Sequence, residues 1–308
     1  MEATNGTEPR KEHPFSTLRA IGSQRKGGGA RASGVSWALG MALAAGCVHP
    51  ELHGVGRNAP GQHVVRASQY AFTTDFELDA EDGMVRELVD LRDDVTSELR
   101  LPPGTSIVRV IVFESQQRYD EFLRRNYPDL PTRRAFFIKQ SGDQLTVFAC
   151  RGDRLREDLR HEATHALLHS VLPKVPLWLD EGLAEYFAAG VKANGFVPKH
   201  VERLAQEPDL QGNRWDLARL ERMTDLWQMG PDDYRESWLW VHFCLHQSPE
   251  TKEVLLHYLA DLRAGKDGSL RDRLQAVLPH PEPLLSRHLA NLADSIATSP
   301  SADPTASP

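Results

Sequence analysis

Between residues 64 and 151 the apolar positions follow two periods. "SIVRVIVF" (106–113) and "QLTVFAC" (144–150) are short runs rich in β-branched and aromatic residues, whereas "AEDGMVRELVDLRDDVTSELR" spaces its apolar residues three and four apart. Short runs of the first kind predict strands and the second spacing predicts a helix, so this part is read as a mixed lobe with a small sheet. From Leu155 onward the spacing is helical almost throughout, with breaks at Pro173, Pro176, the loop 190–198, Pro231 and Pro279. The expected fold class is therefore α+β: a small mixed β-sheet lobe (65–151) followed by a helical lobe (152–294) in one domain. Trp178, Trp238 and Trp240 are assigned to the core, and the charged cluster "DLRDDVTSELR" to a solvated helix face.

The two ends lack such periodicity. Arg25, Lys26 and Arg31 precede the apolar run "VSWALGMALAAGC", which is too short for a spanning helix of about 20 residues and has the anatomy of a secretory signal. Its end, "LAAGC", resembles a bacterial lipobox, so residues 1–47 are read as a signal peptide and Cys47 as the lipidated residue. Leu43 stands four rather than three residues before Cys47, and the leader is long; a buried apolar element is the alternative reading. Residues 48–64, rich in Gly, Pro and His, read as a tether, and residues 295–308, rich in Ser, Pro, Ala and Thr, as a disordered tail. The location expected is the bacterial cell envelope, with the membrane as a partner through the lipid anchor.

Composition narrows the possibilities only a little. With 308 residues and 40% apolar content the chain can build a substantial core, and a net charge of -7 without a basic stripe argues against a nucleic-acid partner. If Cys47 carries a lipid, Cys150 and Cys244 remain as a disulfide or as two separate buried thiols.

The chemistry is concentrated in "RHEATHALLH" (160–169). Four residues on a helix turn roughly 40° past a full turn and rise about 6 Å, so His161 and His165 share a face and can share an ion. Glu162 falls beside them. This is the HExxH pattern, in which two imidazoles bind zinc and the glutamate takes a proton from water. Sixteen residues after His165, "LWLDEGLAEYF" (177–187) supplies Glu181 as a third ligand on a second helix expected to begin near Asp180. Glu185, four further on, is placed to accept the other ring N–H of one ligand histidine. Gly182 removes a side chain where two helices approach. His169, His242 and His246 are read as packed or surface residues rather than ligands.

"HEATH" followed by "WLDEGLAEYF" resembles the gluzincin peptidases, the thermolysin-like group, and especially the bacterial peptidase-MA-like proteins. The resemblance spans about residues 64–246. It implies one Zn2+ per chain on His161, His165 and Glu181, Glu162 as catalytic base, and Glu185 supporting a ligand. In "PDDYRESWLWVHFCLH" (231–246) a tyrosine opening a helix is similar to that of the aminopeptidase branch, which gives Tyr234 the stabilisation of the oxyanion. The strand preceding the active helix, "QLTVFACRG", is expected along the cleft as an edge that pairs with an extended substrate. The acidic Gly-x-Met-Glu-Asn loop of aminopeptidases is missing. The expected activity is that of a zinc-dependent endopeptidase acting on a peptide or protein substrate. The alternatives are a zinc-containing envelope binding or scaffold module without hydrolysis, and a hydrolase of another bond.

Overall fold

Five short strands form one mixed sheet in the computed structural model, which describes residues 60–128, 130, 133–140, 143–206 and 214–298. In chain order the strands are β1 (His63–Ala67), β2 (Tyr70–Thr74), β3 (Val108–Phe113), β4 (Ala135–Gln140) and β5 (Gln144–Cys150), arranged spatially as β1-β2-β3-β5-β4. β3 is parallel to both β2 and β5, while β1 and β4 close the two edges antiparallel. The central strand reads "VRVIVF" because both of its faces are covered, which favours a nearly continuous apolar run. Val108, Val110 and Val112 point to one core; Ile111 and Phe113 point to another.

The helices divide accordingly. α2 (Gln116–Asn126) buries Tyr119, Phe122 and Leu123 on the Ile111 face. The opposite face carries α1 (Gly83–Glu98), through Val85, Leu88, Leu91 and Val95, and α3 (Leu155–Val171). Beyond α3 lie α4 (Leu177–Ala189), α5 (Pro198–Ala205), α6 (Leu217–Arg222), α7 (Pro231–His246), α8 (Pro249–Arg263), α9 (Leu270–Val277) and α10 (Pro281–Thr298). No strand follows α3 among the described residues. The α+β class is thus as the apolar periods predict.

Several expectations need correction. "QLTVFAC" is not an edge: β5 is hydrogen-bonded on both sides, to β3 and β4. The edge beside it is β4, "AFFIKQ", whose paired aromatics belong to both cores. β1 begins at His63, inside the segment read as tether, and α10 continues to Thr298, inside the segment read as tail. The signal segment, Cys47 and residues 299–308 lie outside the described residues. No helix among the described residues is long and apolar enough to cross a membrane. Cys150 and Cys244 are free and buried, and burial pushes their thiols up to about 11 and about 12.

Trp178, Trp238 and Trp240 are fully buried, as expected of core residues. α4 packs most closely against α7, and Gly182 is the reason it can. A Cβ there would stand 2.6 Å from the Ser237 carbonyl oxygen and 2.9 Å from Val241 Cγ2, closer than atoms tolerate. Gly182→Ala should therefore cost about 1–3 kcal/mol through overpacking, despite the better helix propensity of alanine, and its urea midpoint should fall below that of the parent protein.

α7 and α10 meet through imidazoles. His242 Nδ1 and His288 Nε2 are 2.8 Å apart, His246 Nε2 is 2.9 Å from the Tyr186 hydroxyl, and Trp238 and Phe243 pack around them. Burial, reinforced by neighbouring imidazoles, lowers His242 to about 3 and His288 to about 4. The unfolded chain, with ordinary histidines near 6.5, then binds more protons between those values and pH 6.5. Their contribution to stability is present above pH 6.5 and fades as pH falls toward 4. Equilibrium unfolding at pH 7.5 and pH 5 should show a steeper acid loss in the parent protein than in His288→Phe.

Candidate metal centre

α3 begins in the turn after β5 and ends at Val171, two residues before Pro173; the sheet therefore delivers the HExxH residues directly onto its own apolar face. The chain then reverses through "PKVP", and α4 starts at Leu177, three residues before Asp180. Pro176 takes an extended conformation and its carbonyl accepts from the amides of Leu179 and Asp180. The earlier start puts Asp180, not only Glu181, on the turn of α4 that faces α3.

His161, His165 and Glu181 come together. The His161 and His165 Nε2 atoms are 3.2 Å apart, and Glu181 Oε2 lies 3.6 Å from the first and 3.7 Å from the second. All three residues are almost completely buried, and no hydrogen bond satisfies Glu181 Oε2. Buried polar atoms without partners are costly, which makes this cluster of converging acceptors and imidazole nitrogens unusual as mere packing. The group could hold a metal ion.

Acidic residues behind the imidazoles orient them. Asp180 Oδ1 is 2.9 Å from His165 Nδ1, and Asp180 Oδ2 is 2.8 Å from His169 Nε2. Burial favours a neutral Asp180, but the His169 and His165 rings outweigh it and hold the carboxyl far below its ordinary range. Burial likewise opposes charge on His165, yet Asp180 and Glu181 raise it to about 10; His161 is also raised, burial being outweighed by Glu181 and Glu185. Phe137 of β4 stacks on His165 and His169 with ring centroids 6.2 and 5.6 Å away. The edge strand thus braces the rings.

Glu185 stands behind His161 as its helical offset suggested, with Oε1 4.0 Å from His161 Nδ1. That distance is ion-pair range rather than a hydrogen bond. Its other oxygen, Oε2, is 3.0 Å from His200 Nε2 on α5, and His200 sits edge-on to Trp238. Burial works against the Glu185 charge; His200 and His161 overcome it, so its pKa is lowered. Glu162 is nearly buried on α3 and its negative charge acts on both His161 and His165. Tyr234 is nearly buried in the first turn of α7, one turn before Ser237, which touches Gly182.

Arg160, next to the cluster, fixes α3 in place. Its Nε donates to the Phe187 carbonyl on α4 at 2.8 Å, and its Nη1 donates to Glu87 on α1 at 2.8 Å. On the sheet side, Arg134 donates two bonds of 2.8 Å to Asp158.

The sequence reading did not include Asp180, His200 or Phe137 in the site, and it set His169 aside. A signal for Asp180 and His169 existed: histidines at 161, 165 and 169 form one helical stripe, and two adjacent acids open the facing helix. His200 carried no local signal, being separated from Glu185 by a loop. Asp180→Asn should weaken metal affinity about 10- to 100-fold while leaving the fold intact, as read by chelator competition and circular dichroism. No protein-family model matches the chain and no curated protein matches it, so the functional reading rests on the chemistry of these residues.

Proposed function

We propose that the protein is a zinc-dependent metallopeptidase, an endopeptidase by default, with His161, His165 and Glu181 as ligands. The observation that carries this reading is the spacing of the three ligand atoms. Donors about 2.0–2.2 Å from a tetrahedral centre lie about 3.3–3.6 Å from one another, and the separations here are 3.2, 3.6 and 3.7 Å. Two imidazole nitrogens and one carboxylate suit zinc, and three protein ligands leave a fourth position for water or substrate. A purely structural zinc site ordinarily has four protein ligands and no need of a buried glutamate beside an open position.

When bound, zinc supplies a Lewis acid that polarises a carbonyl and makes water more acidic. Glu162 accepts the proton of the attacking water and delivers it to the leaving amine. Tyr234 donates its hydroxyl hydrogen to the carbonyl oxygen as negative charge gathers there. Asp180 and Glu185 hold the imidazoles against rotation, so that their Nε2 atoms face the ion. The basic residues and apolar run ending at Cys47 support an envelope location, with the lipid anchor on Cys47.

Metal analysis of the full chain should give about one zinc per chain, lost in His161→Ala. Glu162→Gln should keep its zinc and lose roughly 100- to 10,000-fold in peptide turnover. Retained turnover in Glu162→Gln would remove the base from this scheme, and failure of the parent protein to bind zinc would remove the centre itself.

A further inference from the structure

α10 packs on α5 and α7, and its contact with α7 is made by two imidazoles as well as by apolar side chains. His288 stands with Leu285 and Leu289 on the buried face of α10, and its Nε2 lies 2.8 Å from His242 Nδ1. From His242 a column of rings runs inward. Its centroid is 5.3 Å from that of Trp238, Trp238 is 5.3 Å from His200 on α5, and His200 Nε2 is 3.0 Å from a Glu185 oxygen behind His161. The C-terminal helix and the candidate metal centre are joined through this column. Apart from His288, the buried residues of α10 are Pro281, Leu285 and Leu289, and Trp215 Nε1 donates to Ser286 Oγ at 2.7 Å. That is a small anchorage for a helix of 18 residues, so α10 can leave its seat while the sheet and the remaining helices keep theirs.

The surroundings of the imidazole pair suit neutral rings. No carboxylate pairs with His242 or His288 among the described residues. α7 adds His246 and Phe243, α4 adds Tyr186, whose hydroxyl is 2.9 Å from His246 Nε2, and the loop before α5 presents the Asn194 carbonyl. Glu98 of α1 and Lys252 of α8 act on His246 in opposite senses and pair with each other at 2.8 Å. On α10 itself the neighbouring Arg287 is exposed. One N–H satisfies the facing nitrogens of two neutral rings. Full protonation instead points two N–H groups at each other and buries two charges without a counterion.

We infer that α10 is an acid-released clamp on the site: protonation of the His242 and His288 pair detaches it from α7 and α5, and the freed α5 lets His200 withdraw from Glu185. The clamp acts on the geometry of the site and is independent of the reaction proposed for it. Undocked, both histidines titrate near 6.5, so docking is fully supported above that pH and weakens as pH falls toward 4. At pH 5 each histidine raises the undocked population by about 30-fold, and the two together by roughly 1000-fold at most.

Hydrogen exchange of the full chain, read by mass spectrometry at pH 7.5 and pH 5 and corrected for the intrinsic pH dependence of exchange, tests the clamp. Protection of α10 should fall about 100- to 1000-fold at pH 5, and that of α5 should fall with it, while β3 and α8 keep theirs. The fall should be the same with excess zinc and with chelator, since it does not pass through the metal. In His288→Phe it should be at least about 10-fold smaller, and His242→Gln provides the same comparison if phenylalanine is not accommodated. An equal loss of protection in every element, an unchanged loss in both variants, loss from α10 without α5, or loss confined to the chelated protein would each overturn the clamp. None of these outcomes bears on whether the centre binds zinc, which metal analysis at pH 7.5 decides separately.

Discussion

Everything in this molecule is arranged around the burial of one polar helix face. From Asp158 to His169 each residue of α3 is buried, yet the stretch includes Asp158, Arg160, His161, Glu162, Thr164, His165 and His169. A helix so placed is ordinarily apolar all round, since each ionisable group taken from water must be met by a partner. The surrounding elements supply those partners one by one. Arg134 meets Asp158, Glu87 and the Phe187 carbonyl meet Arg160, the Arg160 carbonyl accepts from Thr164, and Asp180 meets His165 and His169. The fold of the helical part is in large measure the solution to this requirement.

The same arrangement brings together a buried group that could hold a metal ion. Carboxylates placed behind imidazoles fix ring orientation and strengthen the rings as donors, while the aromatic face of Phe137 limits their tilt. Rigidity of this kind matters because a binding site held loosely would spend interaction energy on ordering its own ligands. Here the ordering is done in advance by the sheet, by α4 and by α5. The close approach of α4 to α7 at Gly182, against Ser237 and Val241, adds a further restraint on the helix that carries Glu181.

Polar satisfaction also explains why the site and the neighbouring cavity are distinct in character. The His161–His165–Glu181 cluster is enclosed and rich in ionisable groups, whereas the cavity that shares Glu181 with it is lined largely by apolar residues, with Glu221 and Asp225 engaged in capping α9 and the short turn at residues 226–228.

The sequence by itself determined the α+β class, the helix bearing the HExxH residues, the facing helix with Glu181, and the burial of the tryptophans, because each follows from local period or from offsets along one helix. It could not determine that β5 is interior, since pairing on both sides depends on where β4 lies in the sheet. Nor could it determine that Asp180 rather than Glu185 makes the closer contact to a ligand histidine. That depended on where α4 begins, and the start was decided by the burial of Trp178 and by the turn at Pro176, which carry α4 three residues further back than its acids suggest. His200 and Phe137 join the site from distant parts of the chain. Contacts of that kind arise only when helices and strands pack, and tertiary structure alone decides them.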